Sequence, residues 1–225
     1  GGRVKRSKPD YCSDCLGWEW GSTGFVPPSG SGSLGLLCVA EAAGKSEAYE
    51  GRPLVEYAPA GGMFERLIKL AGISRDQLRL ANVLSCHPPN DWLEGAPWET
   101  AVVSHCSPYL DQTIAEMKPR CILALGNVAL KRLTPYGGKK ATVTAVRGYV
   151  LESPQYGVPT ICTYHPSYLQ RGQHKLSGVF VHDFQKALEV AAGKDYTPEP
   201  TDFTLHPTAT DAEAFLAGLH LNHTL

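Results

Sequence analysis

Short apolar runs alternate with helical patterns along the middle of the chain. Four such runs end in small or polar residues, and they lie at 34–44, 78–86, 121–126 and 158–166. Continuous apolar runs of this length are typical of strands buried in a parallel sheet. Helical periodicity follows each run, around 60–71, 98–117, 127–133 and 176–192. The alternation predicts an α/β domain with a mainly parallel central sheet.

The N-terminal segment lacks this alternation. Residues 1–33 contain a Pro-Pro pair and, at 29–33, a run of Ser and Gly, and neither suits a regular element. We therefore expect an irregular arm over 1–33, followed by one domain over 34–192.

The C-terminal segment changes character again. Residues 193–202 combine prolines with charged residues and predict a linker. Beyond it, Thr210 and Glu213 have the spacing of a capping box before a short helix. We expect 203–225 to be a tail or the start of a further domain, and we hypothesise that a longer polypeptide continues past Leu225.

Composition is that of an ordinary globular protein. Hydrophobic residues make up 43% and charged residues 19% of the chain, and no apolar stretch approaches the ~18 residues of a membrane span. The basic start is not followed by an apolar run, so we expect no secretory signal, no membrane partner and a cytoplasmic protein. The net charge of −1 gives no sign of nucleic acid, so contact with DNA would need a local basic patch.

Seven cysteines in a chain without an export signal favour burial or metal ligation over disulfides. Cys38, Cys121 and Cys162 lie inside apolar runs, and we expect them in the core. Cys12 and Cys15 form a CxxC pair in an irregular stretch. Taken by themselves, four cysteines that include such a pair favour a structural zinc site.

Polar residues concentrate where the predicted strands end. The segments AEAAG, NVLSCHPPN, GNVAL and YHPSYLQRG follow or close the four apolar runs. Ligands of parallel α/β sheets bind outside the carboxyl ends of the strands. The sequence therefore predicts a binding site at this edge of the sheet.

Four motifs in this order carry a family resemblance, and three of them overlap these segments. They are AEAAGKSEAYEGRPLVEYAPAGG at 40–62, ANVLSCHPPN at 81–90, CSPYL at 106–110 and HPSYLQR at 165–171. Over about 11–190 the chain resembles the iron–sulfur uracil-DNA glycosylases, the thermophile-type branch called family four. The resemblance implies a three-layer α/β/α sandwich. It also implies a DNA repair enzyme that hydrolyses the N-glycosidic bond of a flipped-out uracil in single- or double-stranded DNA and leaves an abasic site.

The resemblance implies roles for the polar residues of three motifs. Asn82 would read the O4 and N3–H edge of uracil, unless it merely satisfies a turn after a strand. His165 would stabilise the negative charge that develops on uracil O2. Glu41 or Glu47 would position substrate or the attacking water. Ala42 would belong to the loop that binds the substrate.

The resemblance also implies which residues contact DNA and which residue stacks on the uracil base. Ser167, Leu169 and Arg171 would form the DNA-binding loop, with Leu169 as an apolar wedge and Arg171 near phosphate. The alternative for Leu169 is a leucine that caps the core. Leu54 replaces the aromatic residue that stacks on uracil in the family, and AEAAG replaces its GEAPG. Because base–aromatic stacking contributes roughly 1 to 3 kcal/mol, these departures predict weakened or redirected activity.

The resemblance also changes the expectation for the cysteines. Cys12, Cys15, Cys86 and Cys106 stand at the four positions where the family binds a [4Fe–4S] cluster, which is the cofactor we expect in place of zinc. Such a cluster would pin the N-terminal arm. It would be structural, because hydrolysis needs no electron transfer.

Two alternative functions stay open at this stage. One is a catalytically weak, glycosylase-like DNA-binding module of a larger replication or repair protein, fused to a polymerase or exonuclease domain. The other is a glycosylase for a different modified pyrimidine. All three functions imply a nucleoid-associated protein.

Overall fold

The computed structural model describes residues 9–19, 25–137, 141–196, 208–210 and 213. The chain divides into two compact units, 1–195 and 196–225. In the second unit, Ala209, Thr210 and Glu213 are helical, so the helix begins before Thr210, the predicted N-cap. Most of the predicted linker and tail lies outside the described residues.

One five-stranded sheet forms the centre of the first unit. Its strands are β1 (Leu36–Ala42), β2 (Arg79–Leu84), β3 (Cys121–Leu125), β4 (Val150–Leu151) and β5 (Thr160–Thr163). Their order is β2-β1-β3-β5-β4, and only β4 runs antiparallel to its neighbour. The four predicted apolar runs are the four parallel strands. The two-residue β4 was not predicted, because half of it is exposed and it carries no apolar run.

Seven α-helices connect and cover the strands in the described part of the chain. They are α1 (Lys45–Glu50), α2 (Pro59–Leu70), α3 (Glu99–Met117), α4 (Asn127–Leu133), α5 (Val143–Val146), α6 (Pro166–Gln170) and α7 (Ser177–Ala191). The predicted helices correspond to α2, α3, α4 and α7. The other three have four to six residues, too few for a helical period to show in the sequence.

The helices form two layers, one on each face of the sheet. Strand residues alternate between the faces, and one set packs with α3 and α4 into a common core. On the opposite face, α2 and α7 meet through Phe64 and Phe180, whose ring centroids are 6.3 Å apart. The α/β/α sandwich is therefore confirmed. Cys38, Cys121 and Cys162 are buried in the strands, as predicted.

The described part of the N-terminal arm follows the edge strand β2. Ser29 and Leu80 exchange both backbone hydrogen bonds, at 2.9 and 2.8 Å, and the Val26 N–H donates to the Ser85 carbonyl at 2.7 Å. These bonds satisfy backbone groups that would otherwise be unpaired at the edge of the sheet. Nearer the N-terminus, the chain forms two 3-10 turns, Asp10–Asp14 and Leu16–Glu19. Among the described residues, no helix is both long and apolar enough to cross a membrane.

Candidate active site

A cleft of about 510 Å³ lies at the carboxyl edge of the sheet, between the end of β1, the segment 88–94 and α6. Chain reversals at the ends of parallel strands bring distant sequence segments together at this edge. Six of the predicted site residues line the cleft, namely Glu41, Ala42, Glu47, His165, Ser167 and Arg171. The first and fourth motifs, more than 100 residues apart in sequence, thus form one site.

His165 caps the N-terminus of α6 and is fixed through its Nδ1 atom. The Ser167 N–H donates to Nδ1 at 3.2 Å, and the Ser167 hydroxyl lies 2.8 Å from the same nitrogen. Because Nδ1 accepts a hydrogen bond, the proton of the neutral ring is assigned to Nε2, which leaves a donor. Burial, and next the nearby Arg171 charge, lower the pKa of His165 to about 4. The ring is therefore neutral around pH 7.

Gly126 makes room for this histidine. It has a φ of 92°, and a Cβ atom built on it would lie 3.2 Å from the Cβ of His165. The Gly126 N–H donates to the Thr163 carbonyl at 3.0 Å, which ties the start of α4 to the end of β5. A side chain here would meet both backbone strain and His165. The GNVAL segment predicted this edge, but only the structure shows why a glycine stands there.

Glu47 is buried and its carboxylate is surrounded by donors. Asn82 Nδ2 donates to Glu47 Oε2 at 3.2 Å. Backbone N–H groups of Leu54 and Gly44 bond the same carboxylate. Burial raises the pKa of Glu47, while these three hydrogen bonds oppose the rise. The carboxylate therefore holds its neighbours in place and has few lone pairs left for a ligand.

Asn82 is buried in β2, one layer behind Glu47. It lines a separate cavity of about 160 Å³ and not the wall of the cleft. Its Oδ1 atom is buried without a hydrogen-bond partner. A buried acceptor of this kind costs about 1 to 3 kcal/mol unless something pairs with it. The turn alternative for Asn82 does not hold, because the residue pairs with Ala40 inside the sheet.

Glu41 differs from Glu47 in its surroundings. It is half-buried at the end of β1, and the backbone N–H of Glu94 is its hydrogen-bond donor. Burial raises its pKa most, and the like charges of Glu94 and Glu99 raise it further, while Arg171 lowers it. Glu41 thus has free acceptor capacity toward the cleft. No sequence pattern distinguishes these two carboxylates; their hydrogen bonds do.

Leu54 is buried beside Glu47, with a φ of 49° that non-glycine residues seldom adopt. Arg75 fixes its loop by donating to the Leu54 and Pro53 carbonyls, both at 2.9 Å. Arg75 is a positioning residue that the sequence did not reveal, because it stands in a short turn between motifs.

The DNA-binding loop differs from the expectation at one position. Leu169 is fully buried, whereas Tyr168 beside it is 42% exposed. The predicted wedge role of Leu169 is therefore not supported, and the alternative of a leucine that caps the core describes its position. Arg171 is exposed at the end of α6 and close enough to affect the pKa values of both Glu41 and His165.

Some of the four cysteines of the expected cluster lie close to one another. Burial raises the pKa of Cys106 most, the hydrogen bonds from Ser85 lower it, and Cys12 and Cys15 raise it further, so these two cysteines lie within electrostatic range of Cys106. The Ser85 N–H donates to Cys106 Sγ at 3.4 Å, and the Gly17 N–H donates to Cys15 Sγ at 3.3 Å. Cys86 is buried next to Ser85 in sequence.

Thiols that are mostly buried and that accept hydrogen bonds from backbone N–H groups are chemically suited to bind an iron–sulfur cluster. Within the described ranges, however, no three His, Cys, Asp or Glu side chains are grouped as they would be around a metal ion. The cysteine thiols are therefore suitable ligands for an iron–sulfur cluster, although in the described residues their sulfurs are not arranged around a common centre.

Comparison with known proteins agrees with the geometry of the cleft. The uracil-DNA glycosylase superfamily model matches residues 27–190. The Type-4 uracil-DNA glycosylase of Sulfurisphaera tokodaii is 34% identical over 191 residues, which are 83% of this chain and 83% of that protein. The Type-4 uracil-DNA glycosylase of Pyrobaculum aerophilum is also 34% identical, over 78% of this chain and 87% of that protein. That of Thermotoga maritima is 34% identical over 73% of this chain and 82% of that protein. The chain therefore belongs to the uracil-DNA glycosylase superfamily.

Proposed function

We propose that the protein hydrolyses the N-glycosidic bond of deoxyuridine in DNA and leaves an abasic site. The observation that carries the proposal is the pairing of a neutral His165 with the half-buried Glu41 in one cleft. Similarity to proteins named Type-4 uracil-DNA glycosylases supports the choice of substrate. The cleft lies at the sheet edge, and a base must leave the helix stack to enter it.

Asn82 and Glu47 would select uracil: Glu47 lines the cleft, and Asn82, which lies behind it in the neighbouring cavity, would meet the base where uracil reaches past the Glu47 carboxylate. The unpaired Asn82 Oδ1 can accept the N3–H of uracil, and the second N–H of Nδ2 can donate to O4. Glu47 holds the amide in this orientation through the bond at 3.2 Å. Cytosine presents an acceptor at N3 and a donor at the exocyclic position, so both contacts would be mismatched. A site built to hydrogen-bond one edge rejects the other strongly.

His165 would stabilise the leaving group. When the bond between C1′ and N1 breaks, its electron pair stays on uracil and spreads to O2. A donor that is fixed in advance, as the Nε2–H of His165 is by Ser167, stabilises such an oxyanion without reorganisation. Since the pKa of His165 is about 4, the ring donates as neutral imidazole and keeps its proton.

Glu41 would orient the attacking water. Glu47 is already occupied by three donors, which leaves Glu41 as the carboxylate of the cleft with free acceptor sites. The water oxygen forms the new bond to C1′, and one of its protons passes to Glu41 and from there to solvent or the departing base. The negative carboxylate also stabilises the positive charge that develops on the sugar.

The four cysteines Cys12, Cys15, Cys86 and Cys106 would hold a [4Fe–4S] cluster, with zinc as the alternative. The burial of three of them, the neighbourhood of three sulfurs and the two N–H donors to sulfur support this assignment. When bound, the cluster supplies a covalent link between the arm and α3, and no step of the reaction. Purified protein should absorb broadly near 400 nm and contain iron; colourless protein with stoichiometric zinc would identify the alternative.

Cleavage of a labelled single-stranded oligonucleotide with one deoxyuridine, followed by alkali, tests the activity. We expect the wild type to cleave this oligonucleotide and to leave a matched oligonucleotide with thymidine in place of deoxyuridine intact. His165→Ala should reduce kcat by about 10²- to 10³-fold, as loss of an oxyanion donor does. His174→Ala, which alters an exposed histidine in a 3-10 turn, is the matched control.

The same experiment separates the alternatives. Wild-type protein that binds the oligonucleotide without cutting it would indicate the DNA-binding module, and cutting only of another modified pyrimidine would indicate the other glycosylase. Fusion to a polymerase or exonuclease domain and association with the nucleoid stay predictions.

A further inference from the structure

Trp92 presents a fixed aromatic face in the wall of the cleft. Its side chain is 47% exposed, although indole rings usually bury most of their surface. Its Nε1–H donates to the Glu94 carbonyl at 3.0 Å, and Trp98 packs against it edge to face, with centroids 5.3 Å apart at 72°. The ring is thus held in place on one side and open on the other.

Tyr168 provides a second exposed ring next to the cleft, although it does not line it. It is 42% exposed and lies on α6 directly after Ser167, which lines the cleft. Its inner side packs on Tyr164, with ring centroids 5.5 Å apart and planes tilted by 31°. Neither aromatic has a role in the reaction described above.

Charge at the cleft is unfavourable for DNA. Its lining contains four carboxyl groups and two cations, namely Glu41, Glu47, Asp91 and Glu94 against Lys45 and Arg171. The acidic lining therefore weakens phosphate binding at the cleft, and a net charge of −1 gives the chain no overall attraction to DNA. Base–aromatic stacking can supply affinity under these conditions, since it needs no charge and accepts any base.

We propose that Trp92 and Tyr168 stack on unpaired bases that flank the uracil, so that the protein takes single-stranded DNA in preference to duplex. The inference rests on the proposed function for the identity of the base in the cleft. In a duplex, flipping the uracil uncovers only the inner faces of the two flanking bases, which still border a gap inside the helix, while their outer faces stay stacked, so rings beside the cleft could not reach them. In a single strand those faces are free, and two platforms beside the cleft would hold the bases on either side.

The test compares KM for a single-stranded and a duplex oligonucleotide of the same uracil-containing sequence. We expect Trp92→Ala to raise KM for the single strand by about 5- to 150-fold, the range that 1 to 3 kcal/mol of stacking corresponds to. Tyr168→Ala should act in the same direction. Trp92→Phe, which keeps an aromatic face, should stay within about threefold of the wild type. Tyr136→Ala is the control, because Tyr136 is 43% exposed but follows the far end of α4.

Equal effects of Trp92→Ala on the two substrates, or an effect no larger than that of Tyr136→Ala, would overturn the proposal. Fluorescence anisotropy with a uracil-free single strand separates this proposal from the glycosylase assignment: weaker binding by Trp92→Ala supports stacking even if no uracil is released. Should Trp92→Ala not fold, quenching of tryptophan fluorescence by that strand, lost in Trp92→Phe, gives the same decision.

Discussion

The cleft and the cysteine region are fixed by different means. In the cleft, the chain supplies the partners itself: His165 is held by Ser167, and Glu47 by three donors. In the cysteine region, Cys12 lies in the first of two short 3-10 turns and Cys15 between them, and Cys12 Sγ lies 3.8 Å from the Tyr109 hydroxyl. The side chains of the cleft are therefore preorganised by the fold, whereas we propose that a bound group would fix the cysteine-bearing part of the arm.

This difference predicts separable phenotypes. Substitutions in the cleft should change turnover while the colour and melting temperature of the protein persist. Substitutions of the four cysteines should change colour and stability first, and turnover only as a consequence. Four variants, given in decreasing order of expected effect, test whether the effects on turnover and the effects on colour and stability can be separated.

Glu41→Gln should have the largest effect on turnover. Loss of a group that accepts a proton in the transition state costs about 10²- to 10⁴-fold in kcat. The pKa of Glu41 is raised above its ordinary value of 4.5, so wild-type kcat/KM should fall as the pH drops through a value above 4.5, where the carboxylate becomes protonated. That acidic limb should be absent in Glu41→Gln.

Glu94→Gln is the matched control for the pH profile. It removes a like charge that raises the pKa of Glu41 and leaves the Glu94 N–H in place. The acidic limb should then move to lower pH with kcat retained. A limb that persists in Glu41→Gln would assign it to another group and remove Glu41 from the mechanism.

Cys106→Ser should have the largest effect on stability. Loss of one ligand of a structural metal group belongs to the strongly destabilising classes, on the order of 3 kcal/mol or more. We expect loss of absorbance near 400 nm and a lower midpoint of unfolding in urea. Cys38→Ala, which changes a buried strand cysteine outside the set, should keep the absorbance. A Cys106→Ser protein with unaltered colour would exclude Cys106 as a ligand.

The sequence predicted the elements and the edge but not the connections between side chains. Apolar runs located β1, β2, β3 and β5 because buried parallel strands need no alternation. The 3.6-residue period located the helices longer than six residues. Shorter elements, such as α6, depend on tertiary contacts that no local pattern records.

The site residues show the same limit. His165 and Glu41 could be placed at one edge because they follow strand ends. The burial of Leu169 could not be predicted in this way. Its neighbours on either side, Tyr168 and Gln170, are amphipathic or polar, and the helix is one turn long. The unpaired Oδ1 of Asn82 depends on what surrounds it in three dimensions, and only the structure provides that.

Gly126→Ala should have an intermediate effect on both stability and turnover. A residue with a side chain at a φ of 92° costs about 1 to 2 kcal/mol. The new Cβ would also lie 3.2 Å from that of His165, so the ring must shift, and we expect kcat to fall by about tenfold or more. Gly193→Ala has a similar φ of 98° with open space around it. It should show the stability loss alone; equal kcat losses in both variants would show that Gly126 does not position His165.

Ser167→Ala should have the smallest effect, because it removes only one of two hydrogen bonds to Nδ1 of His165. The backbone N–H at 3.2 Å remains and still selects the neutral ring with its proton on Nε2. One neutral hydrogen bond contributes about 0.5 to 1.5 kcal/mol, so kcat should fall by about 2- to 12-fold. Burial and the Arg171 charge lower the pKa of His165, and a hydroxyl that donates to Nδ1 would favour the neutral ring further, so we expect its loss to raise that pKa. Turnover should therefore decline more at pH 5 than at pH 8, where the ring is neutral in both proteins. Ser46→Ala, in the same cleft, should leave this ratio as in the wild type. A loss that is equal at the two pH values would mean that the hydroxyl acts on the substrate and not through His165.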